Sequence, residues 1–208
     1  AADETARAAR NLITQVGRRV GSVSVVEQAL LAGLLASGKP TRDVAVVERD
    51  ADRAAELAAE YKVLVTDIAT AAENAQIVVI AVKPDAVDSV LAELGKVDDN
   101  NDVERVTVTL VAGLPAAKYE NALPAGSPVV RVMSNMPLLV NEAMSALSAG
   151  RYATEEQVAA VSNLLGSVGQ VMVVPESLMD AVTAISGSGP AYVFLLAESM
   201  IEDRKSTR

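Results

Sequence analysis

The chain of 208 residues contains no cysteine and no histidine. Thiolate nucleophiles, disulfides, the usual zinc sites and imidazole acid–base chemistry are therefore excluded. Any catalysis must use carboxylates, Lys, Tyr, hydroxyl groups, backbone groups or a cofactor. We accordingly predict no metal site, and the composition assigns no catalytic residue.

Aromatic residues are scarce as well, with four Tyr, one Phe and no Trp, although half of the chain is hydrophobic. The predicted core is therefore aliphatic. The net charge of −9 weighs against nucleic-acid binding, which depends on Lys and Arg at phosphates. The first residues lack the apolar stretch of a signal peptide, and no charge-free apolar run reaches about 18 residues. We expect no membrane contact and, by default, a cytoplasmic location.

Strands alternate with helices along most of the chain. The clearest strand is 76–82, QIVVIAV, which is apolar on both faces, as parallel strands covered by helices are. Further strands are predicted at 44–48, 63–65, 106–111, 129–133, 144–147 and 171–174, and 22–26 is a short β-branched run. This alternation from 22 to 174 predicts an α/β fold with a doubly wound parallel sheet.

Helix signals lie between these strands. Residues 3–14 are rich in Ala and Arg and predict a helix, and 28–37 predict a buried helix. Asp50 is a predicted N-cap, and Thr154 with Gln157 forms a predicted capping box. Helices are also predicted from Pro84 to Gly95, from Pro115 to about residue 121, and at 176–185 and 191–201. The change from alternation to helices near Pro175 is the single candidate domain boundary.

Three segments carry a family resemblance. They are 78–84 (VVIAVKP), 126–137 (GSPVVRVMSNMP) and 180–192 (DAVTAISGSGPAY). In this order and spacing they resemble the AVKP, VRxMPNxP and DAxTAxSGSGPAY patterns of pyrroline-5-carboxylate reductases. The resemblance covers roughly residues 20–202, and SGSGPAY is its most specific part.

The resemblance implies a Rossmann-type dinucleotide-binding domain over 1–175. The start of an all-helical dimerisation and substrate domain would follow over 176–208. The implied oxidoreductase reaction moves a hydride from NADPH or NADH to the C=N bond of pyrroline-5-carboxylate, giving L-proline in the last step of proline biosynthesis. An imine acceptor needs mainly positioning, which suits a chain without His. A homo-oligomer, at least a dimer, would form through an exposed apolar face, to which these residues are expected to contribute: Leu178, Val182, Tyr192, Phe194, Leu195 and Leu196.

The resemblance and the strand ends together indicate site residues. Nine are expected to contact the cofactor: Glu48, Arg49, Ala81, Val82, Lys83, Pro84, Val111, Ala112 and Gly113. Three are expected to contact substrate: Asn135, Ser186 and Ser188. An acid such as Glu48 would hold a ribose hydroxyl and an Arg such as Arg49 would accept a 2′-phosphate, so NADP and NAD both stay open. A plain strand-to-helix corner, a solvated charge pair or a Gly-rich helix start would also explain these residues.

Two departures from the family pattern set further expectations. A gap-free alignment places the three fingerprint glycines on Ser22, Ser24 and Glu27, which puts a carboxylate where a phosphate should bind. Gly17 and Gly21 lie nearby, but their spacing differs from that of the fingerprint glycines, and no apolar strand is predicted before them. The family's substrate-contacting glycine–threonine loop would lie beyond residue 208. We therefore expect weak NADPH binding and impaired turnover.

Two alternatives to a reductase of this family remain. The first is a non-catalytic, fragmentary relative that keeps the sheet but binds no dinucleotide. The second is another reductase with a related Rossmann domain, such as a hydroxyacid or F420-linked oxidoreductase. The SGSGPAY segment argues against the second.

Overall fold

The computed structural model describes residues 10–15, 23–73, 75–97 and 104–206. Its strands form one eight-stranded sheet in the order β3-β2-β1-β4-β5-β6-β7-β8. The strands are β1 (Arg10–Gln15), β2 (Val44–Glu48), β3 (Leu64–Val65), β4 (Ala75–Ile80), β5 (Val106–Thr109), β6 (Val129–Met133), β7 (Ala143–Ala149) and β8 (Gly169–Val173).

Helices connect most of these strands. They are α1 (Val23–Ala36), α2 (Ala51–Tyr61), α3 (Ile68–Ala72), α4 (Val87–Leu94), α5 (Ala116–Ala122), α6 (Glu155–Gly166), α7 (Met179–Val182) and α8 (Gly189–Ser206). None of the helices in the described ranges is long and apolar enough to cross a membrane.

The first six strands are all parallel, and their order 3-2-1-4-5-6 is that of dinucleotide-binding doubly wound folds. Two hydrophobic clusters cover the two faces of the sheet. Leu30 and Leu34 of α1 and Leu165 of α6 belong to one cluster, whereas Leu91 of α4 and Tyr119 of α5 belong to the other. The predicted α/β fold, with helices on both faces and a mainly aliphatic core, is confirmed.

Strand β7 departs from the expected parallel sheet because it runs antiparallel to β6. The chain between β6 and β7 contains only a 3-10 turn, Met136–Val140. A parallel connection needs about a dozen residues or more, usually with a helix that crosses the sheet. α6 supplies such a crossover after β7, so β8 pairs parallel with β7.

The amino-terminal region overturns two expectations. Arg10–Gln15 is a strand between β2 and β4, although residues 3–14 predicted a helix; residues 3–9 lie outside the described part. The Ala and Arg residues of that stretch lie at or before Arg10, whereas the strand includes the β-branched Ile13 and Thr14 and pairs with a neighbour on each side, which favours a strand. The β-branched run at 22–26 is not a strand either, since α1 begins at Val23. A strand therefore does precede Gly17, contrary to expectation.

Several local signals act as predicted. The Asp50 carboxylate accepts hydrogen bonds from the Asp52 and Arg53 amides at 3.1 and 3.0 Å, which caps α2. Thr154 and Gln157 form the complete capping box of α6. Pro84 opens a 3-10 turn that leads into α4, and Gly95 ends that helix. The short helix α3 was not predicted.

The chain after Pro175 is helical but interrupted. A 3-10 turn, Glu176–Leu178, leads into α7, and a π-helical turn, Thr183–Gly187, precedes α8. The expectation of exposed apolar side chains is confirmed for Leu178, Tyr192, Phe194, Leu195 and Leu196, which are 49–68% exposed. It is wrong for Val182, which packs against the buried cluster of Met133, Ala146 and Met179.

We expect Gly33→Ala to destabilise the fold by about 1–3 kcal/mol, the usual cost of overpacking a core. Gly33 lies in α1, and a Cβ atom there would clash with the side chain of buried Val168 and lie 2.7 Å from the Asn141 side-chain oxygen. The measurement is urea unfolding followed by circular dichroism. Gly166→Ala in α6 is the matched control, because a Cβ atom there meets nothing within 4 Å. Equal stability of the two variants would contradict the close approach of α1.

Candidate functional site

A cleft of about 340 Å³ opens at the carboxyl ends of β4, β5 and β6. It lies beside the position where the strand order reverses, between β1 and β4, which is where open α/β sheets bind ligands. Its strand-end wall is made by residues that follow the three strands, and its opposite wall by the π-helical turn and Ser188. The lining residues are Ala81, Val82, Pro84, Leu110, Val111, Ala112, Met133, Ser134, Asn135, Met136, Thr183, Gly187 and Ser188.

The structure brings many of the predicted site residues to this cleft. Those that line it are Ala81, Val82, Pro84, Val111, Ala112, Asn135 and Ser188. Lys83, Gly113 and Ser186 belong to the same turns without lining the cleft, and Glu48 and Arg49 lie apart at the end of β2. Six lining residues were not predicted from the sequence: Leu110, Met133, Ser134, Met136, Thr183 and Gly187. Leu110, Met133, Ser134 and Met136 adjoin predicted strand-end residues, so a wider window at each strand end would have found them. Thr183 and Gly187 lie in the π-helical turn beside the predicted Ser186, and no strand-end signal points to them.

Buried hydroxyl groups at the end of β5 hold the turn that follows this strand. The Thr109 hydroxyl accepts a hydrogen bond from the Val111 amide at 3.2 Å and lies 2.7 Å from the Tyr119 hydroxyl. Burial raises the pKa of Tyr119 above its usual range, so this hydroxyl stays protonated. Gly113 has a φ of +77°, a conformation that favours glycine. This part of the cleft wall is therefore fixed to the sheet.

Asn135 connects the strand-end wall with the opposite wall. Its side-chain oxygen accepts a hydrogen bond from the Met144 amide at 2.9 Å, at the start of β7. Its side-chain nitrogen then points to the Ser186 hydroxyl, 3.4 Å away. The Met144 bond thus fixes the orientation of the amide at the edge of the cleft.

Glu48 and Arg49 form a separate polar site at the end of β2. The Glu48 carboxylate accepts a hydrogen bond from the Asp50 amide at 3.0 Å. Desolvation by burial raises the pKa of Glu48 above its usual range, although the backbone donors of Asp50 and Arg49 oppose the shift. The Arg49 side chain is half exposed, and its contacts with the described residues Ser89 and Glu93 are long, at 3.4 and 3.9 Å. Such surface contacts hold a guanidinium weakly.

The cleft offers positioning rather than acid–base chemistry. None of the lining residues that the structure describes has an ionisable side chain. Their polar side-chain groups are hydroxyls and the Asn135 amide. Within the described ranges, no group of three or more Asp and Glu side chains could hold a metal ion. A site of this kind can exclude water from a hydride donor and an acceptor that has already taken its proton from the solvent.

Two family models match separate parts of the chain. Residues 24–113 match a model described as NADP oxidoreductase coenzyme F420-dependent. Residues 176–206 match one described as pyrroline-5-carboxylate reductase dimerisation. The first covers α1 to the turn after β5, and the second covers the helical segment after Pro175.

Known proteins are similar over most of the chain. The pyrroline-5-carboxylate reductase of Mycobacterium tuberculosis is 50% identical over 186 residues, which cover 88% of this chain and 63% of that protein. The Mycobacterium leprae enzyme of the same name is 48% identical over 185 residues, with the same coverage. The solved pyrroline-5-carboxylate reductase of Coxiella burnetii superposes with a TM-score of 0.79 at 28% identity, over 93% of this chain and 70% of the other.

The chain spans 63% of the length of the two mycobacterial relatives. The similarity runs through the sheet, the cleft and the segment after Pro175, and it includes the SGSGPAY segment that the sequence singled out. On these grounds, the chain belongs to the pyrroline-5-carboxylate reductase family.

Proposed function

We propose that this chain carries the dinucleotide-binding part of an NAD(P)H-dependent pyrroline-5-carboxylate reductase, which makes L-proline in the last step of proline biosynthesis. The observation that carries the proposal is the cleft at the ends of β4, β5 and β6, where none of the described lining residues has an ionisable side chain. A reaction that needs a protein acid or base would be poorly served there, whereas hydride transfer to an imine needs mainly alignment.

The strand-end wall would hold the cofactor, NADPH or NADH. Residues 81–84 and 111–113 would contact its nicotinamide end, with Lys83 at the rim. The adenosine end would lie across β1 at Glu48 and Arg49, where a carboxylate can accept a ribose hydroxyl and a guanidinium can contact a 2′-phosphate. A bound reduced nicotinamide supplies the hydride.

The opposite wall would hold the substrate. The Asn135 amide and the hydroxyls of Ser186 and Ser188 would donate hydrogen bonds to the carboxylate of pyrroline-5-carboxylate and fix its ring in the cleft. The proximity of Asn135 to Ser186, and the position of Ser188 in the cleft wall, support this assignment. The apolar side chains around them would limit the access of water to the imine.

The organisation of the whole protein is part of the same proposal. We place the boundary between a dinucleotide-binding domain and a helical dimerisation domain at Pro175. The exposed apolar side chains of α8 and the family match over 176–206 support a homo-oligomer formed through this helix. A cytoplasmic location is proposed from composition alone.

A non-catalytic relative without dinucleotide binding is the second candidate. It is favoured by the replacement of the three expected glycines with Ser22, Ser24 and Glu27. Ser24 and Glu27 lie within α1, and Ser22 lies outside the described residues. The affinity for NADPH separates the two candidates.

We expect the unmodified chain to bind NADPH weakly, in the millimolar range. Loss of about three charge-assisted hydrogen bonds to the pyrophosphate, at about 1.5 kcal/mol each, corresponds to roughly a thousandfold in affinity. Isothermal titration calorimetry measures the affinity, and proline formation measures turnover. The combined variant Ser22→Gly, Ser24→Gly and Glu27→Gly should bind NADPH more tightly than the unmodified chain.

The matched control places Ala at the same three positions, which removes the Glu27 charge without giving the backbone the freedom of glycine. The glycine variant should exceed the alanine variant in affinity. Micromolar binding by the unmodified chain would show that the glycine positions are misaligned. No binding by any of the three proteins would favour the non-catalytic candidate.

We expect Glu48→Gln to stabilise the free chain at neutral pH and yet to weaken cofactor binding. The pKa of Glu48 is higher in the folded chain than its value of about 4.5 in the unfolded chain. The protonated side chain therefore stabilises the fold below about pH 4.5, and this stabilisation is lost as the pH rises through the pKa of the folded chain. Urea unfolding between about pH 4 and pH 7 should therefore show a smaller loss of stability in the variant.

The loss of a charged acceptor for the ribose hydroxyl should lower the cofactor affinity of Glu48→Gln roughly tenfold or more. Glu142→Gln, at an exposed position, is the control and should change neither property. A Glu48→Gln chain that binds the cofactor as tightly as the unmodified chain would remove Glu48 from the site.

A further inference from the structure

Arg131 is a buried cation that the proposed function does not use. It lies in β6, and its side chain is only 4% exposed. The register places it beside Thr109 of β5 and Ser148 of β7, both also buried, so these three residues share one face of the sheet. Burial of a guanidinium is costly unless it is paired, so its partners define what it does.

Both acidic partners come from the segment after Pro175. One terminal nitrogen of Arg131 donates to the Glu176 carboxylate at 2.9 Å, and the other donates to the Asp180 carboxylate at 3.0 Å. The two acids lie four residues apart, in the 3-10 turn and in α7. The planar fork of an Arg can hold two such acceptors, whereas a Lys presents a single ammonium group.

Glu176 has a second contact that reaches the cofactor side of the cleft. The same carboxylate oxygen accepts a hydrogen bond at 3.2 Å from the amide of Ala116, the first residue of α5. That helix follows directly on the turn at 111–113. Glu176 therefore joins the sheet, the start of α5 and the segment after Pro175 at one point.

This ion cluster lies just before the opposite wall of the cleft. α7 runs from Met179 to Val182, and the wall residue Thr183 follows immediately. Below α7, Met179 packs with Met133 and Ala146, and the partly buried Val174 and Val182 pack against this small cluster. α8, beyond the wall, has exposed side chains from Ala191 to Arg204. The described contacts that hold the wall are this cluster, the long Asn135–Ser186 contact and the two Arg131 ion pairs.

We propose that Arg131, with Glu176 and Asp180, is a positioning residue that sets the distance between the substrate-side wall at 183–188 and the cofactor-side wall at the strand ends. It acts through the segment and touches neither ligand. This inference rests on the proposed function for its ligands. Loss of the cluster should therefore loosen the substrate-side wall while leaving the strand-end wall intact.

The decisive variant is Arg131→Lys, which keeps the charge but can hold only one carboxylate well. L-Proline is the substrate-side probe, and NADPH is the cofactor-side probe. We expect the Kd of L-proline, measured by calorimetry with NADPH present, to rise about tenfold, while the Kd of NADPH changes less than about twofold. Hydrogen exchange should accelerate at 183–188 and stay unchanged in β4 and β5.

Two further variants keep the test valid if Arg131→Lys folds poorly. Asp180→Asn changes an exposed carboxylate, 87% of whose side chain is accessible, and should show the same pattern more weakly. Glu176→Gln should show it more strongly than Asp180→Asn, because the Glu176 side chain is 36% exposed, against 87% for Asp180, and its ion pair is less screened by solvent. Lys118→Met is the control: it breaks a surface ion pair with Asp88 at 2.7 Å, between α5 and α4, and should leave exchange at 183–188 unchanged.

Three results would overturn the inference. If L-proline and NADPH binding weaken equally and hydrogen exchange is faster throughout the sheet, Arg131 is a general stabiliser of the sheet. If hydrogen exchange at 183–188 is the same in every variant as in the Lys118→Met control, Arg131 does not position the substrate-side wall. An unchanged L-proline Kd beside faster exchange would remove its link to the ligand. If the unmodified chain binds neither probe, the proposed function fails, and the exchange comparison alone decides whether Arg131 positions the wall.

Discussion

A strand covered by helices on both faces can place polar side chains only at its ends or opposite an internal partner. Strands β4, β5 and β6 are buried almost throughout, and this constraint explains where their polar groups lie. The residues at and just after the ends of the three strands form one wall of the cleft. Two of the polar side chains buried inside the sheet, Thr109 and Arg131, are each hydrogen-bonded to a group outside their own strand. Because of this one constraint, the ligand site lies at the carboxyl ends of the strands, whereas the ion cluster is built around a residue inside the sheet.

The two walls of the cleft are held by different forces. The strand-end wall continues directly from paired strands, and buried hydroxyls fix the turn after β5. The opposite wall follows a short helix that is held by the Arg131 ion pairs, one with an exposed partner, and by a small cluster around Met179. Ion pairs with an exposed partner are weakened by salt, whereas buried neutral hydrogen bonds respond little. Ionic strength should therefore act on one wall more than on the other.

The sequence predicted those features that depend on local signals. The strand at 76–82 and the caps at Asp50 and Thr154 are encoded within a few residues, and so are the strand-end residues of the cleft. The features it did not predict depend on partners distant in sequence. Residues 10–15 become a strand because β2 and β4 flank them, and the direction of β7 follows from the absence of a crossover. Likewise, Thr183 and Gly187 line the cleft only because α7 lies on the sheet, and Val182 is partly buried for the same reason.

The reversal of β7 has a consequence for the route of the chain. Since β8 is parallel to β7, it runs toward the end of the sheet at which β6 begins, away from the cleft. The chain that leaves β8 must double back over the face of the sheet to reach the carboxyl ends of the strands. That return path brings Glu176 and Asp180 over Arg131 before the chain arrives at Ser188. With β7 parallel, β8 would end at the rim of the cleft, and the path from β8 to the cleft would bypass the buried cation. The direction of one strand thus determines which residues anchor the substrate-side wall.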